Sequence, residues 1–352
     1  MRALSLVLLL AGCAGVQVVP LPKEAELHRA RTDDGWELSL VRYRAVGAPK
    51  GPPVLLCHGI SANERNMDLD DEHSMARWFA AHGREAWTMS LRATGLSDGP
   101  DAAKGRGAIS FDDYWRHDLP AAIDFVRRTS GAAELDYAGH SMGGMVLYAY
   151  LAQGGKGVRA AATLGSPTRL DWGTSVETLA LTFGPVLASD GAQLPSALGS
   201  RLIAPFQGGD DLVQRLFHTP ESTSLVTWRR LLTYGTADTA GGTAKQLLAL
   251  MRTGDFRTSD GRDLRADMKK ITTPILVVAG RLDRIAVAPA VMDGYRALGG
   301  PKQWLLVTRA NGSVGEYGHM DLVIGERAGD EVWAKILAFF EAIPQANAAR
   351  AE

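Results

Sequence analysis

Cysteine is nearly absent from this 352-residue chain, which carries two, Cys13 and Cys57. That count excludes a disulfide-stapled scaffold and any cysteine-rich metal site. No His-Glu-x-x-His segment occurs, and no glycine-rich stretch fits a nucleotide fingerprint, so neither a zinc ion nor a phosphate cofactor is expected. An excess of one charge is also missing: 38 Lys and Arg against 39 Asp and Glu leave a formal net charge of −1. With no clustered basic run, nucleic acid is not an expected partner. Long hydrophobic runs are lacking too, since Ala3 to Leu10 is well short of the roughly 20 residues that span a bilayer as a helix. No internal repeat or low-complexity block appears, and 46% hydrophobic content suits one large domain with an insertion.

What is present centres on Tyr137-Ala138-Gly139-His140-Ser141-Met142-Gly143-Gly144. Glu134 to Ala138 reads as a short buried strand and Met145 to Ala152 as a helix, which places Ser141 on the sharp turn between them. A serine at the centre of Gly-x-Ser-x-Gly has its hydroxyl lifted above the sheet. The two glycines are needed because side chains there would strike the adjoining strand and helix.

Such a nucleophile needs a base and an orienting carboxylate. Thr273 to Gly280 is a β-branched apolar run of the kind that forms a buried parallel strand, and Asp283 follows three residues later. Gln303 to Val307 is a second such run, followed by Gly315-Glu316-Tyr317-Gly318-His319-Met320-Asp321. Both candidate groups thus lie past the carboxyl ends of strands, where open α/β sheets place their sites. Asp321 and Asp171 compete with Asp283, but Asp321 is too near His319 in sequence to come from an independent strand end. Among the eight histidines, His58 and His140 neighbour motifs and read as structural. His28, His73, His82, His117 and His218 have no strand-end context.

The order Ser141, Asp283, His319 resembles that of α/β-hydrolase fold enzymes, over about residues 32–343. Tyr317 to Gly325 is similar to the histidine segment of acid-lipase-like and polyhydroxyalkanoate-synthase-like proteins. Phe111 to Trp115, with Asp118 to Ala121, is similar to a segment ahead of the nucleophile in the same group. Polyhydroxyalkanoate synthases use Cys where this chain has Ser141, which argues against polymer synthesis. The resemblance implies an α/β fold: a mostly parallel sheet, helices on both faces, and a helical cap inserted after the sixth strand. It also implies an oxyanion hole formed by the backbone amides of Ile60, in the loop after the Pro53–Cys57 strand, and Met142. Leu91 to Gly99 resembles a further loop of the fold, with Ala93 and Thr94 departing from its glycine pattern; Arg92 receives no catalytic role.

The first residues imply a location. Met1-Arg2, the apolar run and Leu10-Ala11-Gly12-Cys13 resemble a bacterial lipobox, which implies cleavage before Cys13 and acylation of its thiol. The expected organisation is a signal peptide over 1–12, a lipidated tether over 13–31 and a hydrolase core over 32–167 and 271–343. A helical cap covers 168–270 and a tail 344–352. Ala14 after the cysteine points to the outer membrane of a bacterial envelope. Cys57 is expected to be a buried inert thiol. Within the insertion, Thr178 to Leu187, Asp211 to Phe217, Val226 to Tyr234 and Thr243 to Arg252 carry helical spacing. Phe183, Phe206, Phe217, Trp228, Leu232 and Leu247 are among the apolar residues of this cap. Gly208-Gly209 and Gly241-Gly242 read as breaks.

The expected activity is hydrolysis of a carboxylic ester or lipid through an acyl-enzyme, without a cofactor. An acyltransferase or thioesterase with the same three residues is the alternative, and a tethered non-catalytic binding lipoprotein is the alternative from another class.

Overall fold

A computed structural model describes residues 20–99, 108–170, 192–208 and 212–344. Eight strands form one sheet in the order β1-β2-β4-β3-β5-β6-β9-β10. They are β1 (Ala25–Arg31), β2 (Glu37–Tyr43), β3 (Val54–Cys57), β4 (Ala86–Met89), β5 (Leu135–His140), β6 (Val158–Leu164), β9 (Ile275–Gly280) and β10 (Lys302–Val307). The remaining two, β7 (Gln193–Leu194) and β8 (Thr239–Ala240), pair with each other in the insertion. From β4 to β10 every pairing in the large sheet is parallel, whereas β2 runs antiparallel to both β1 and β4.

Alternation of side chains along the strands explains the two-sided core. Leu55 and Cys57 of β3 and Val277 and Ala279 of β9 face one apolar cluster, with Leu119, Ile123 and Val126 of the helix Leu119–Ser130. Their neighbours Val54, Leu56, Leu276 and Val278 face the other, with Phe79 of Met75–Ala81 and Phe340 of Ala334–Ala342. A parallel sheet covered on both faces must be apolar at every position, which is why these strands read as continuous runs. The observed topology is the α/β fold expected, with the insertion after β6.

Three details differ from the expectations. Ala25–Arg31, assigned to the tether expected over 13–31, is a strand that pairs with β2 along its whole length. Glu26, His28, Arg29 and Arg31 make this outermost strand charged, as an edge that resists intermolecular pairing should be, so it lacks an apolar signature. Consequently β2, whose alternation of apolar and polar residues over Trp36 to Ala45 suits an antiparallel edge strand, lies inside the sheet. Phe111 to Arg128, where Leu119, Ile123 and Val126 at helical spacing predict one continuous helix, also contains a π-turn at Tyr114–Asp118, in which Leu119 N–H reaches the Tyr114 carbonyl. Pro120, with no N–H to give, follows this change of register.

Between β6 and β9 the described residues include the helices Ser196–Ile203, Leu212–Phe217, Leu225–Tyr234 and Gly241–Thr253. Gly241 and Gly242 open the last of these helices rather than breaking one. A Cβ at Gly242 would lie 2.4 Å from the Ile109 carbonyl oxygen, so close backbone approach accounts for that glycine. Trp228 and Leu232 are buried against the second apolar cluster, whereas Phe206 is 86% exposed. Phe183, Gly209 and the helix expected over Thr178 to Leu187 lie outside the described residues, as does Cys13. Among the described residues no helix is long and apolar enough to cross a membrane.

Candidate active site

β5 ends at His140, and Ser141 turns the chain into the helix Met142–Ala152. Its φ of 52° and ψ of −117° form a strained conformation for a non-glycine residue. The flanking contacts impose it: Ser141 N–H donates to Leu164 O at 2.8 Å, and its carbonyl accepts from Gly144 N at 3.1 Å. A Cβ at Gly139 would come within 2.6 Å of the Gly143 backbone, and one at Gly143 within 2.5 Å of Cys57 O. Only this glycine spacing lets strand, turn and helix pack so closely against β3.

Asp283 lies in the turn after β9, and His319 in the loop after β10. Gly280, the last residue of β9, allows the His319 loop to lie on it: a Cβ there would sit 2.5 Å from Tyr317 O. Leu282 N–H donates to the same carbonyl at 2.8 Å. His319 Nδ1 then meets Asp283 Oδ2 at 2.8 Å, with both side chains buried. The other oxygen, Oδ1, accepts from Ile285 N at 2.9 Å and Ala286 N at 2.7 Å. The carboxylate is thereby oriented by its own turn, leaving Oδ2 for the imidazole. An imidazole that donates from Nδ1 keeps a lone pair on Nε2.

The nucleophile turn and the His319 loop are tied together by His140. Its Nε2 lies 3.2 Å from His319 O, and the two rings are 4.6 Å apart. Burial, followed by the nearby His319, holds the His140 imidazole well below its ordinary range. Its Nδ1 is 3.2 Å from Asn66 Oδ1, which also accepts from Gly59 N at 3.4 Å. Asn66 thus touches both the loop after β3 and the residue before Ser141. No local motif marks it, because its partners come from two other segments.

His58 shapes the loop after β3. Leu91 N donates to its Nε2 at 3.1 Å, so Nδ1 carries the proton given to Gly59 O at 2.7 Å. Burial lowers this imidazole to about 4, keeping it neutral. A Cβ on Gly59 would lie 3.0 Å from Ser141 Cβ, which shows how near the loop comes to the serine. Neither the Ile60 nor the Met142 N–H has a hydrogen-bond acceptor among the described residues. Two such free amides can serve a developing oxyanion.

Asp321, the competitor for Asp283, faces elsewhere. It is fully buried and accepts from Thr219 N (2.9 Å), Thr219 Oγ1 (3.0 Å), Gly318 N (2.6 Å) and Thr223 Oγ1 (2.5 Å). Burial raises its carboxyl to about 6, against the downward pull of these donors. Met320 N–H also donates to Phe217 O at 2.7 Å, so the His319 loop is fastened to residues 217–223 of the insertion. Asp171 lies outside the described residues.

Three further polar sites have structural explanations. Arg92 donates to Asp118 Oδ1 at 2.7 Å and to Asp34 Oδ2 at 2.6 Å. Cys57 is a buried thiol raised to about 12 by desolvation. Asp33, Asp34 and His117 offer ligand atoms within 4.8 Å of one another. His117 already contacts Asp33 at 2.6 Å and Arg92 neutralises Asp34, so ion pairing accounts for the group.

Residues 52–323 match a protein family described as alpha/beta hydrolase fold. Lipase 1 of Drosophila melanogaster is 34% identical over 126 residues, covering 34% of this chain and 28% of that protein. Gastric triacylglycerol lipase of Bos taurus is 30% identical over 130 residues, covering 34% of this chain and 32% of that protein. The chain therefore spans about a third of the length of these curated relatives. A thermophilic esterase from Thermogutta terrifontis superposes with a TM-score of 0.62 at 14% identity, covering 91% of this chain and all (100%) of that one.

Proposed function

The chain belongs to the alpha/beta hydrolase fold family, and on that premise we propose that it is a serine hydrolase that cleaves carboxylic esters through Ser141, His319 and Asp283. The observation that carries this reading is the buried Asp283–His319 pair, in a loop linked through His140 to the turn of a serine whose own φ is forced positive. His319 Nε2 takes the Ser141 proton as the hydroxyl attacks the ester carbonyl. Asp283 holds the imidazolium that forms, and the Ile60 and Met142 amides receive the oxyanion. Collapse releases the alcohol, taking its proton from His319, and leaves an acyl-enzyme that water, activated by the same imidazole, hydrolyses. No cofactor takes part.

The described residues of the insertion between β6 and β9 act as a cap over the serine. Supporting this, the segment reaches the oxyanion loop, with Ala237 N–H donating to Ser61 O at 3.0 Å, as well as the His319 loop. The lipase names of the partial relatives favour an ester with an apolar acyl chain as the substrate class. The Ala3–Leu10 run and Cys13 support processing to an acylated amino terminus held in a bacterial envelope, on the outer membrane.

The test compares the wild type with Ser141→Ala on p-nitrophenyl esters from acetate to palmitate, with fluorophosphonate labelling alongside. Turnover and labelling that vanish together in the variant are expected. Turnover that survives Ser141→Ala sinks the assignment, and no turnover or labelling in the wild type favours a binding protein.

A further inference from the structure

The helix Ser196–Ile203 contains no buried residue, although its sequence SALGSRLI is half apolar. Leu198 and Leu202, one turn apart, are 45% and 39% exposed, and Ile203 and Phe206 follow at 42% and 86%. Nine large apolar side chains are exposed among the described residues, and four of them fall on these nine consecutive positions, 198–206. Scattered exposed leucines need no explanation, but a contiguous apolar surface does.

The amino-terminal chain leads to the same place. Pro20, the first described residue, and Leu21 line a cavity of about 670 Å³ together with Ala197 and Arg201 of this helix. Arg65 fastens the spot by donating to Pro20 O at 3.1 Å. Asn63, Thr94 and Leu96 also line the cavity, from loops that leave the carboxyl ends of β3 and β4. Pro20 therefore lies toward the carboxyl ends of the parallel strands, the end that carries Ser141, and not toward their amino ends.

We propose that the Leu198–Phe206 surface docks on a lipid bilayer and turns the Ser141 end of the molecule toward it. The inference rests on the reading of Cys13 as the acylated residue. From Cys13 to Pro20 is seven residues, which fully extended reach about 25 Å. A protein held that closely cannot rotate freely: the face bearing Pro20 stays at the membrane, and the exposed apolar helix lies on that face. An interfacial helix sinks roughly 5–10 Å between headgroups and acyl chains, the depth that suits a leucine and phenylalanine surface beside Arg201. This orientation presents the proposed ester-cleaving site to substrate dissolved in the bilayer.

The experiment uses the full chain with its native amino terminus, reconstituted in phosphatidylethanolamine–phosphatidylglycerol vesicles. Phe206→Cys and Val46→Cys each place one reactive thiol for an environment-sensitive fluorophore, because Cys57 is buried and acylated Cys13 does not react. Val46 serves as the control, since it lies near the amino ends of the parallel strands, its N–H bonded to Ala80 O, and is 70% exposed. The label at 206 should shift its emission to the blue, escape aqueous iodide and be quenched by lipid nitroxide, while the label at 46 remains in water. Unchanged activity on a soluble short ester verifies the fold of both variants. A chain that floats with vesicles while label 206 stays iodide-accessible overturns the docking surface and leaves the anchor intact. Iodide shielding without lipid quenching identifies a second copy as the occupant and also overturns it. A wild type that does not float, with unmodified Cys13 by mass spectrometry, overturns the anchor and the docking together.

Discussion

Asp283→Asn isolates the electrostatic role of one carboxylate oxygen. The substitution preserves shape, so its effect depends on which side the amide nitrogen occupies. At the Oδ1 position, nitrogen would face the N–H groups of Ile285 and Ala286 and leave two buried donors unmatched. At about 1–3 kcal/mol per unsatisfied donor, that arrangement loses. The nitrogen therefore goes to the Oδ2 position, where it faces His319 Nδ1. Two donors cannot share that contact, so the imidazole moves its proton to Nε2 and can no longer accept one from Ser141. A wrong-tautomer base typically lowers kcat about 10⁴-fold, or roughly 5.5 kcal/mol of barrier. The variant should still fold, having lost one charge-assisted hydrogen bond worth about 1.5–3 kcal/mol. The assay is kcat on a p-nitrophenyl ester beside Ser141→Ala, with thermal unfolding as the control. A folded variant that loses less than about tenfold refutes both the tautomer argument and the role of Asp283.

Gly143→Ala should abolish labelling of Ser141 and lower Tm, because its Cβ would lie 2.5 Å from Cys57 O and 2.7 Å from His58 O and no flexible side chain can yield. Asp136→Ala would strip the buried guanidiniums of Arg84 and Arg159 of their shared carboxylate. Such a loss typically costs about 3–5 kcal/mol, so denaturant unfolding should weaken by that amount with kcat per folded molecule unchanged. Asp321→Asn carries a pH signature. The carboxyl is raised to about 6 in the fold against roughly 3.9 unfolded, so the native state binds its proton more tightly. Its stabilising contribution is full below about pH 4 and lost as pH rises through about 6. The Tm difference between variant and wild type should therefore move in the variant's favour from pH 4 to pH 7, and a difference that does not change with pH would show that the carboxyl does not titrate there.

The features legible in the sequence are those carried by neighbours along the chain. The parallel strands announced themselves because each is buried on both faces, and the turn at Ser141 because glycines two residues to either side are a steric requirement. Arg92 was left without a catalytic role from the sequence, and its partners Asp118 and Asp34 account for it in the fold. The edge strand Ala25–Arg31 escaped notice because exposed, charged β residues resemble a linker. Asn66 escaped for another reason, and Asp321 was named only as a competitor of Asp283 with no role of its own: each is defined by groups distant in sequence, Asn66 by His140 and Asp321 by Thr219 and Thr223.

By itself, then, the sequence determined the strand-to-helix turn at Ser141 and the two strand ends that offer an acid and a base, and the order of these motifs carried the resemblance that implied the fold class. The turn and the strand ends follow from periodicity and glycine sterics, which are short-range properties. Only the tertiary structure decided that Asp283 and not Asp321 meets His319, that His58 is protonated on Nδ1, and that the insertion is fastened to the His319 loop. It alone placed Pro20 and the exposed helix Ser196–Ile203 beside one cavity. Each outcome is a choice among chemically equivalent partners, and that choice depends on distances between segments far apart along the chain.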